Sequence, residues 1–160
     1  MTTPTSRKRQ KGAAAVELAV LLVPLMLIGF GVTEFGRALF EYNALVKGTR
    51  DAARFLSTKG LLDPADATTI GDLEQAKCMV VHGNPDCSGA PRAPQLYAAM
   101  VTICDSVTCP QTHSAQPTGS GVVNLVTVSV EGYVFTPLVP FVVPNALTFG
   151  QIGTTMRQVL

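Results

Sequence analysis

The chain has 160 residues, of which 47% are hydrophobic and only 14% charged, with a formal net charge of +1. That length allows one membrane segment and one small domain, and excludes a large self-sufficient core. Four of the basic residues, Arg7, Lys8, Arg9 and Lys11, crowd into the N-terminus; the remainder of the chain carries 8 basic against 11 acidic residues, a balance with no footprint for nucleic acid.

From Ala13 to Val32 the one charged residue is Glu17. Twenty residues rise about 30 Å as a helix, the hydrocarbon thickness of a bilayer, so this segment is expected to cross a membrane once. The basic cluster could serve as a nuclear signal or a phosphate patch, but its place just before the span makes the positive-inside rule the simpler account. The leader is then cytosolic and the C-terminal part extracytoplasmic. A secretory signal peptide is a weaker alternative, because the apolar run outlasts a usual signal core. Glu17 is costly in lipid, about 2.5 to 3.5 kcal/mol at the bilayer centre, and this predicts a partner for it. The plainer alternative seats it at the cytosolic interface, where the helix dipole favours an acid.

Helical spacing continues beyond the span. Phe35, Leu39, Tyr42, Val46, Thr49, Ala53 and Leu56 recur at intervals of four and three, a seam too weak for a coiled coil but sufficient for a stalk. Arg37 with Glu41 and Lys47 with Asp51 are placed to pair across the solvated faces. Pro24 predicts a kink and Gly60 a stop, so the helix is expected from Ala13 to Lys59, about 70 Å of rise. A second helix is expected over Asp72 to Val81, ended by Gly83-Asn84-Pro85-Asp86. Leu96 to Cys104 reads as a strand. Val122 to Phe135 reads as another, with Val126, Val128 and Val130 buried and Thr127, Ser129 and Glu131 wet. The intervening Pro110 to Gly121 is expected to be a mobile, exposed loop. Pro137, Pro140 and Pro144 argue against a central strand and suggest a turn or short helix on the sheet or near the membrane. Gln151 to Val159 is a plausible third strand.

Cys78, Cys87, Cys104 and Cys109 all fall in the part expected to be exported, where disulfides form. Of the three possible pairings, Cys78 with Cys87 and Cys104 with Cys109 are favoured because each closes a short local loop. Zinc, with His82 and His113 as additional ligands, is the competing account; structural sites usually have ligand pairs two to four residues apart, whereas Cys78 and Cys87 enclose eight and no CxxC occurs, so no metal and no other cofactor is expected. Free thiols are the third alternative. A catalytic reading would rest on Asp105, His113 and Ser114, in or beside the flexible loop and without a nucleophile turn. Neither an enzyme nor a small-molecule substrate is expected.

The junction Lys11-Gly12-Ala13-Ala14-Ala15-Val16-Glu17 resembles a type IV prepilin signal: a basic leader, a small residue before the cut, and Glu at the fifth position of the mature chain. The wider pattern resembles the TadE-like family of pilus-assembly proteins of bacterial tight-adherence (Flp-type) systems. Gly12 to Ala19, Pro24, Glu34-Phe35-Gly36-Arg37, Tyr42-Asn43-Ala44-Leu45 and Asp51-Ala52-Ala53-Arg54 carry it, followed less specifically by Val126 to Val134 and the segment ending near Met156-Arg157. The resemblance implies a noncatalytic minor pilin or pseudopilin in the inner membrane, cut by a prepilin peptidase between Gly12 and Ala13. Glu17 would pair with the new α-amino group of a neighbouring subunit. Its partners would be other pilins, pilus-assembly membrane proteins, the peptidase and membrane lipid, and the chain could be incorporated into the pilus in support of adhesion or secretion. The disulfide pattern is inferred from this sequence alone. The expected architecture is α+β: a cleaved leader (1–12), a transmembrane and stalk helix (13–59), and an exported domain (60–160) with a small antiparallel sheet and disulfides. A membrane-tethered extracytoplasmic binding module explains the anchor, sheet and cysteines equally well but leaves Gly12 with Glu17 unexplained. A shaft-forming major pilin is disfavoured because such subunits are generally shorter.

Overall fold

The computed structural model describes residues 10–63, 65–141, 143 and 145–158, with side chains from residue 12 onward. Arg7, Lys8 and Arg9 of the leader, Pro144 and Val159 lie outside the described residues. The architecture is α+β, and the chain divides into two compact units: one of residues up to Arg37 with Pro137–Asn145, the other of Ala38–Thr136 with Ala146–Leu160.

Helix α1 (Gln10–Ser57) contributes to both units. It retains Pro24 in its interior and stops before Gly60. The Ser57 and Thr58 hydroxyls donate to the Arg54 and Phe55 carbonyls, each at 2.8 Å, using backbone acceptors that the helix end leaves without intrahelical partners. In the first unit every residue from 12 to 30 is exposed. In the second, Leu45, Ala52, Ala53 and Leu56 enter a core with Ala76, Val80, Val126, Val128, Val130, Tyr133 and Phe135.

The first half of the expected seam is displaced by about one position: Phe35, Leu39 and Tyr42 are exposed, and Glu34, Ala38, Glu41 and Leu45 are buried. Its second half is buried as expected at Thr49, Ala53 and Leu56, joined by Gly48 and Ala52. Two acids on that face hid it from a count of apolar residues. Glu41, expected on a solvated face, is buried and accepts a 2.8 Å hydrogen bond from the Tyr133 hydroxyl. Asp51 accepts from Arg92 at 3.0 Å.

Helix α2 (Ala67–Val81) starts five residues earlier than the expected Asp72, because Asp66 caps it. The Asp66 carboxylate accepts from the Thr68 N–H at 3.0 Å and the Thr68 hydroxyl at 2.8 Å. Its pKa is lowered from 3.8, first by the Thr68 hydroxyl and then by that backbone N–H, both of which favour the ionised form. Helices α1 and α2 approach closely at Gly48, where an added Cβ would lie 2.8 Å from the Val80 carbonyl oxygen.

The expected strand Leu96 to Cys104 is shorter: a 3-10 turn (Ala98–Met100) precedes β1 (Val101–Cys104). Val122 to Phe135 is two strands, β3 (Val122–Val130) and β4 (Val134–Phe135), parted at Gly132, whose φ of 71° breaks the ladder. Between β1 and β3 the stretch Pro110 to Gly121, expected as a loop, is largely exposed but has short regular elements. It contains α3 (Pro110–His113) and β2 (Gln116–Pro117), organised around the Cys109 turn. β3 is the central strand, antiparallel to β1, β2 and β6 (Ile152–Gln158). β4 pairs with β5 (Leu147–Thr148) in a second small sheet, bracketing residues 136–146. Val126, Val128 and Val130 are buried as the alternation predicts. The opposite face is not uniformly wet. Ser129 is buried and its hydroxyl accepts from Gln151, while Thr127 meets His113 and Thr155, each at 2.7 Å.

Candidate functional site

The residues carrying the strongest sequence signal sit at the start of α1. Alanine and straight-chain apolar side chains favour the helix there, and the first charged group after the leader is Glu17. Gly12, Ala13 and Glu17 are all exposed, and a Cβ added at Gly12 would meet nothing within 4 Å. The Gly12–Ala13 peptide bond lies in the first turn of α1. Four residues at 1.5 Å separate Ala13 from Glu17, so the two occupy one helix face about 6 Å apart along the axis. Val16, Leu18, Val20 and Leu21 around them are exposed as well. Among the described residues Glu17 has no hydrogen-bond or ion-pair partner. A carboxylate within an exposed apolar surface is available to a group supplied by another chain.

A second acid, which enters the sequence reading only as part of a resemblance, organises the far end of the same unit. Glu34 is 2% exposed. Its Oε1 accepts from the Leu138 and Val139 N–H groups at 3.0 and 3.1 Å, and its Oε2 from Arg37 at 2.9 Å. One carboxylate thus binds the proline-rich segment Pro137–Asn145 to α1 within the unit. The available signal was position: Glu34 is the first charge after the apolar run.

The cysteines form two joined pairs. Cys78, on α2, is bonded to Cys87 with 4.8 Å between Cα atoms, and Cys104 to Cys109 with 5.6 Å. In the second loop the Asp105 carboxylate accepts from the Thr108 N–H and hydroxyl, and the Cys109 N–H returns to the Asp105 carbonyl. Cys104, Cys109 and His113 hold their donor atoms within 4.8 Å of one another, but both sulfurs belong to the disulfide and offer no thiolate to a metal. His82, the other candidate ligand, turns Nδ1 to the Gly89 carbonyl at 3.0 Å.

The candidate triad is not assembled as one. Asp105 engages Thr108, whereas His113 contacts Thr112 and Thr127 at 2.7 Å each. Ser114 is the C-cap of α3, its N–H donating to Pro110. These are turn-closing and sheet-facing contacts, without the nucleophile-to-base bond that acyl transfer requires.

With this geometry in place, comparison with known proteins finds that the family model described as TadE-like protein matches residues 12–54. No curated protein and no solved structure matches the chain. Over those residues the chain is similar to the TadE-like family. The matched segment contains Gly12, Ala13, Glu17 and Glu34, and ends before α2 and the sheet. One helix in the described chain is long and apolar enough to cross a membrane, and it lies near the N-terminus, which suggests single-pass anchoring.

Proposed function

We propose that this chain is a noncatalytic minor pilin or pseudopilin of a Tad-type pilus, anchored once in the inner membrane with its N-terminus cytosolic. A prepilin peptidase removes the leader at Gly12–Ala13, and Glu17 pairs with the α-amino group of a neighbouring subunit. The observation that carries this reading is the junction of Gly12 and Glu17 at the head of an exposed apolar helix, inside the TadE-like match. Glycine at the cut lowers helix propensity by about 1 kcal/mol relative to alanine, which eases the local unwinding a peptidase needs.

Two measurements test it. Intact mass of the protein from its native envelope should show loss of Met1 to Gly12; an uncut chain in a host with the peptidase would sink the reading. Glu17→Gln should preserve insertion and processing yet abolish surface pili, since it leaves a buried ammonium without its counter-charge at about 3 to 5 kcal/mol. Wild-type piliation by this variant would remove Glu17 from assembly.

The rival is a tethered binding module. It draws on the cleft of about 320 Å³ lined by Leu62, Leu73, Lys77, Thr102, Ile103 and Asp105, where the buried Asp105 Oδ2 has no protein partner. An uncut chain that stays out of sheared pili, with assembly lost on filling the cleft by Thr102→Trp, would favour it.

A further inference from the structure

The segment Pro137–Phe141 has a chemistry that an aqueous turn does not need. Leu138 and Phe141 are 73% and 69% exposed, and no charged residue occurs between Glu131 and Arg157. Its backbone donors are almost silenced. Pro137 and Pro140 have no N–H, the N–H groups of Leu138 and Val139 go to the buried Glu34 carboxylate, and that of Val143 goes to the Val139 carbonyl. Water would satisfy such donors on an ordinary surface. In hydrocarbon each unpaired donor costs several kcal/mol, and irregular backbone survives there only when protein groups satisfy it.

The position of the segment agrees with its chemistry. The Phe141 ring meets the Phe30 ring edge-on, with centroids 6.2 Å apart. Phe30 is two residues inside Val32, the end of the apolar run, and Glu34 two residues beyond it, so at 1.5 Å per residue each is about 3 Å from that boundary. The exposed surface of residues 12–30 is therefore continuous with Phe141 within one compact unit.

We propose that Pro137–Phe141 is a second membrane contact, laying Leu138 and Phe141 into the acyl boundary of the leaflet around the outer end of the span, with Glu34 as the positioning residue that holds it there. The occupant of this apolar surface is lipid. The proposal rests on reading residues 13–32 as a membrane span, and the test separates the two.

The chain has no tryptophan, so an introduced indole reports alone. Full-length Phe141→Trp and Leu138→Trp proteins are reconstituted in vesicles of phosphatidylethanolamine and phosphatidylglycerol and recovered by flotation. Tyr97→Trp, at an exposed position remote in sequence, is the aqueous control. Emission is quenched with acyl-brominated lipid, or with iodide present on both sides of the bilayer; circular dichroism verifies the fold. The two loop variants should be quenched several-fold more by brominated lipid, and several-fold less by iodide, than the control. Adding Glu34→Ala to Phe141→Trp should reverse both differences. Iodide quenching equal to the control in protein that floats would overturn the loop contact and leave the span standing. Protection from both quenchers would assign the surface to protein, a second copy included, and overturn the lipid contact. Failure to float would overturn the span and the proposal together.

Discussion

Two stretches of α1 use the same secondary structure against different surroundings. Residues 12–30 expose all their side chains, large aliphatic ones included, whereas from Ala38 onward the buried positions are dominated by small residues, with Gly48, Ala52 and Ala53 facing the domain core. Where lipid is the solvent, bulky apolar surface needs no protein cover. Where a second backbone must come close, bulk is excluded: Gly48 meets the Val80 carbonyl, whereas Gly29 and Gly36 face open space. Apolar content alone does not identify what a helix packs against; side-chain size at each position does.

The largest effect that could break this contrast is expected at Leu56, fully buried in the second unit. Leu56→Ala should cost about 2 to 5 kcal/mol, whereas Leu21→Ala, in the exposed apolar run, should leave domain unfolding unchanged. Thermal unfolding in detergent followed by circular dichroism distinguishes them, and equal losses would mean that the two stretches share one core.

Removing the disulfides comes next. Loops of 9 and 5 residues correspond to about 2 to 3 kcal/mol and about 2 kcal/mol of stabilisation for Cys78–Cys87 and Cys104–Cys109. The cysteines should resist thiol reagents until reduced, and both serine double variants should unfold earlier while still inserting in membranes. Reactive thiols in protein from its native envelope would refute the bonded state.

The glycines sharpen the comparison within a single residue type. Gly48→Ala should destabilise the domain by about 1 to 3 kcal/mol, because the Val80 backbone must move away. Gly36→Ala, with nothing within 4 Å and a better helix former in place of glycine, should leave it folded and no less stable. Chemical denaturation of the pair measures the difference directly.

The smallest effect is that of Asp66. Its folded pKa is lowered below 3.8, so its capping contribution is present above that value and lost as pH falls through the folded pKa. Amide exchange in the first turn of α2 should accelerate below pH 3.8 and return to the general rate in Asp66→Asn, whose side chain does not titrate. An unchanged pH profile in that variant would deny the cap its role.

Much of the local structure was legible because it depends on near neighbours. The alternation of Val126, Val128 and Val130 specified a half-buried strand, and the turn residues after Val81 ended α2 correctly. The N-cap at Asp66 is missed, and the helix is expected to begin only at Asp72, six residues on. The strand split at Gly132 escapes the sequence because glycine interrupts an apolar run without changing its alternation until a positive φ turns the chain. Of the candidate site, Gly12 and Glu17 stood out because the glycine, the acid five residues on and the basic leader occur together at the head of an apolar run. Glu34 and Glu41 did not, since an acid beside Arg37 on a helix looks solvated until its long-range acceptor role is seen.

By itself the sequence determined the membrane-length helix, the Gly12–Glu17 junction at its head, the α+β composition of the remainder and the local cysteine loops, all of which arise from composition and short-range spacing. Only the tertiary structure decided which face of α1 is buried, because that depends on Val80 reaching Gly48 and Tyr133 reaching Glu41, partners 32 and 92 residues away. It likewise decided that Glu34 satisfies the N–H groups of Leu138 and Val139, more than 100 residues on. Burial of an acid is favourable only once such donors converge on it, and convergence over that separation is a property of the fold, with no trace in local periodicity.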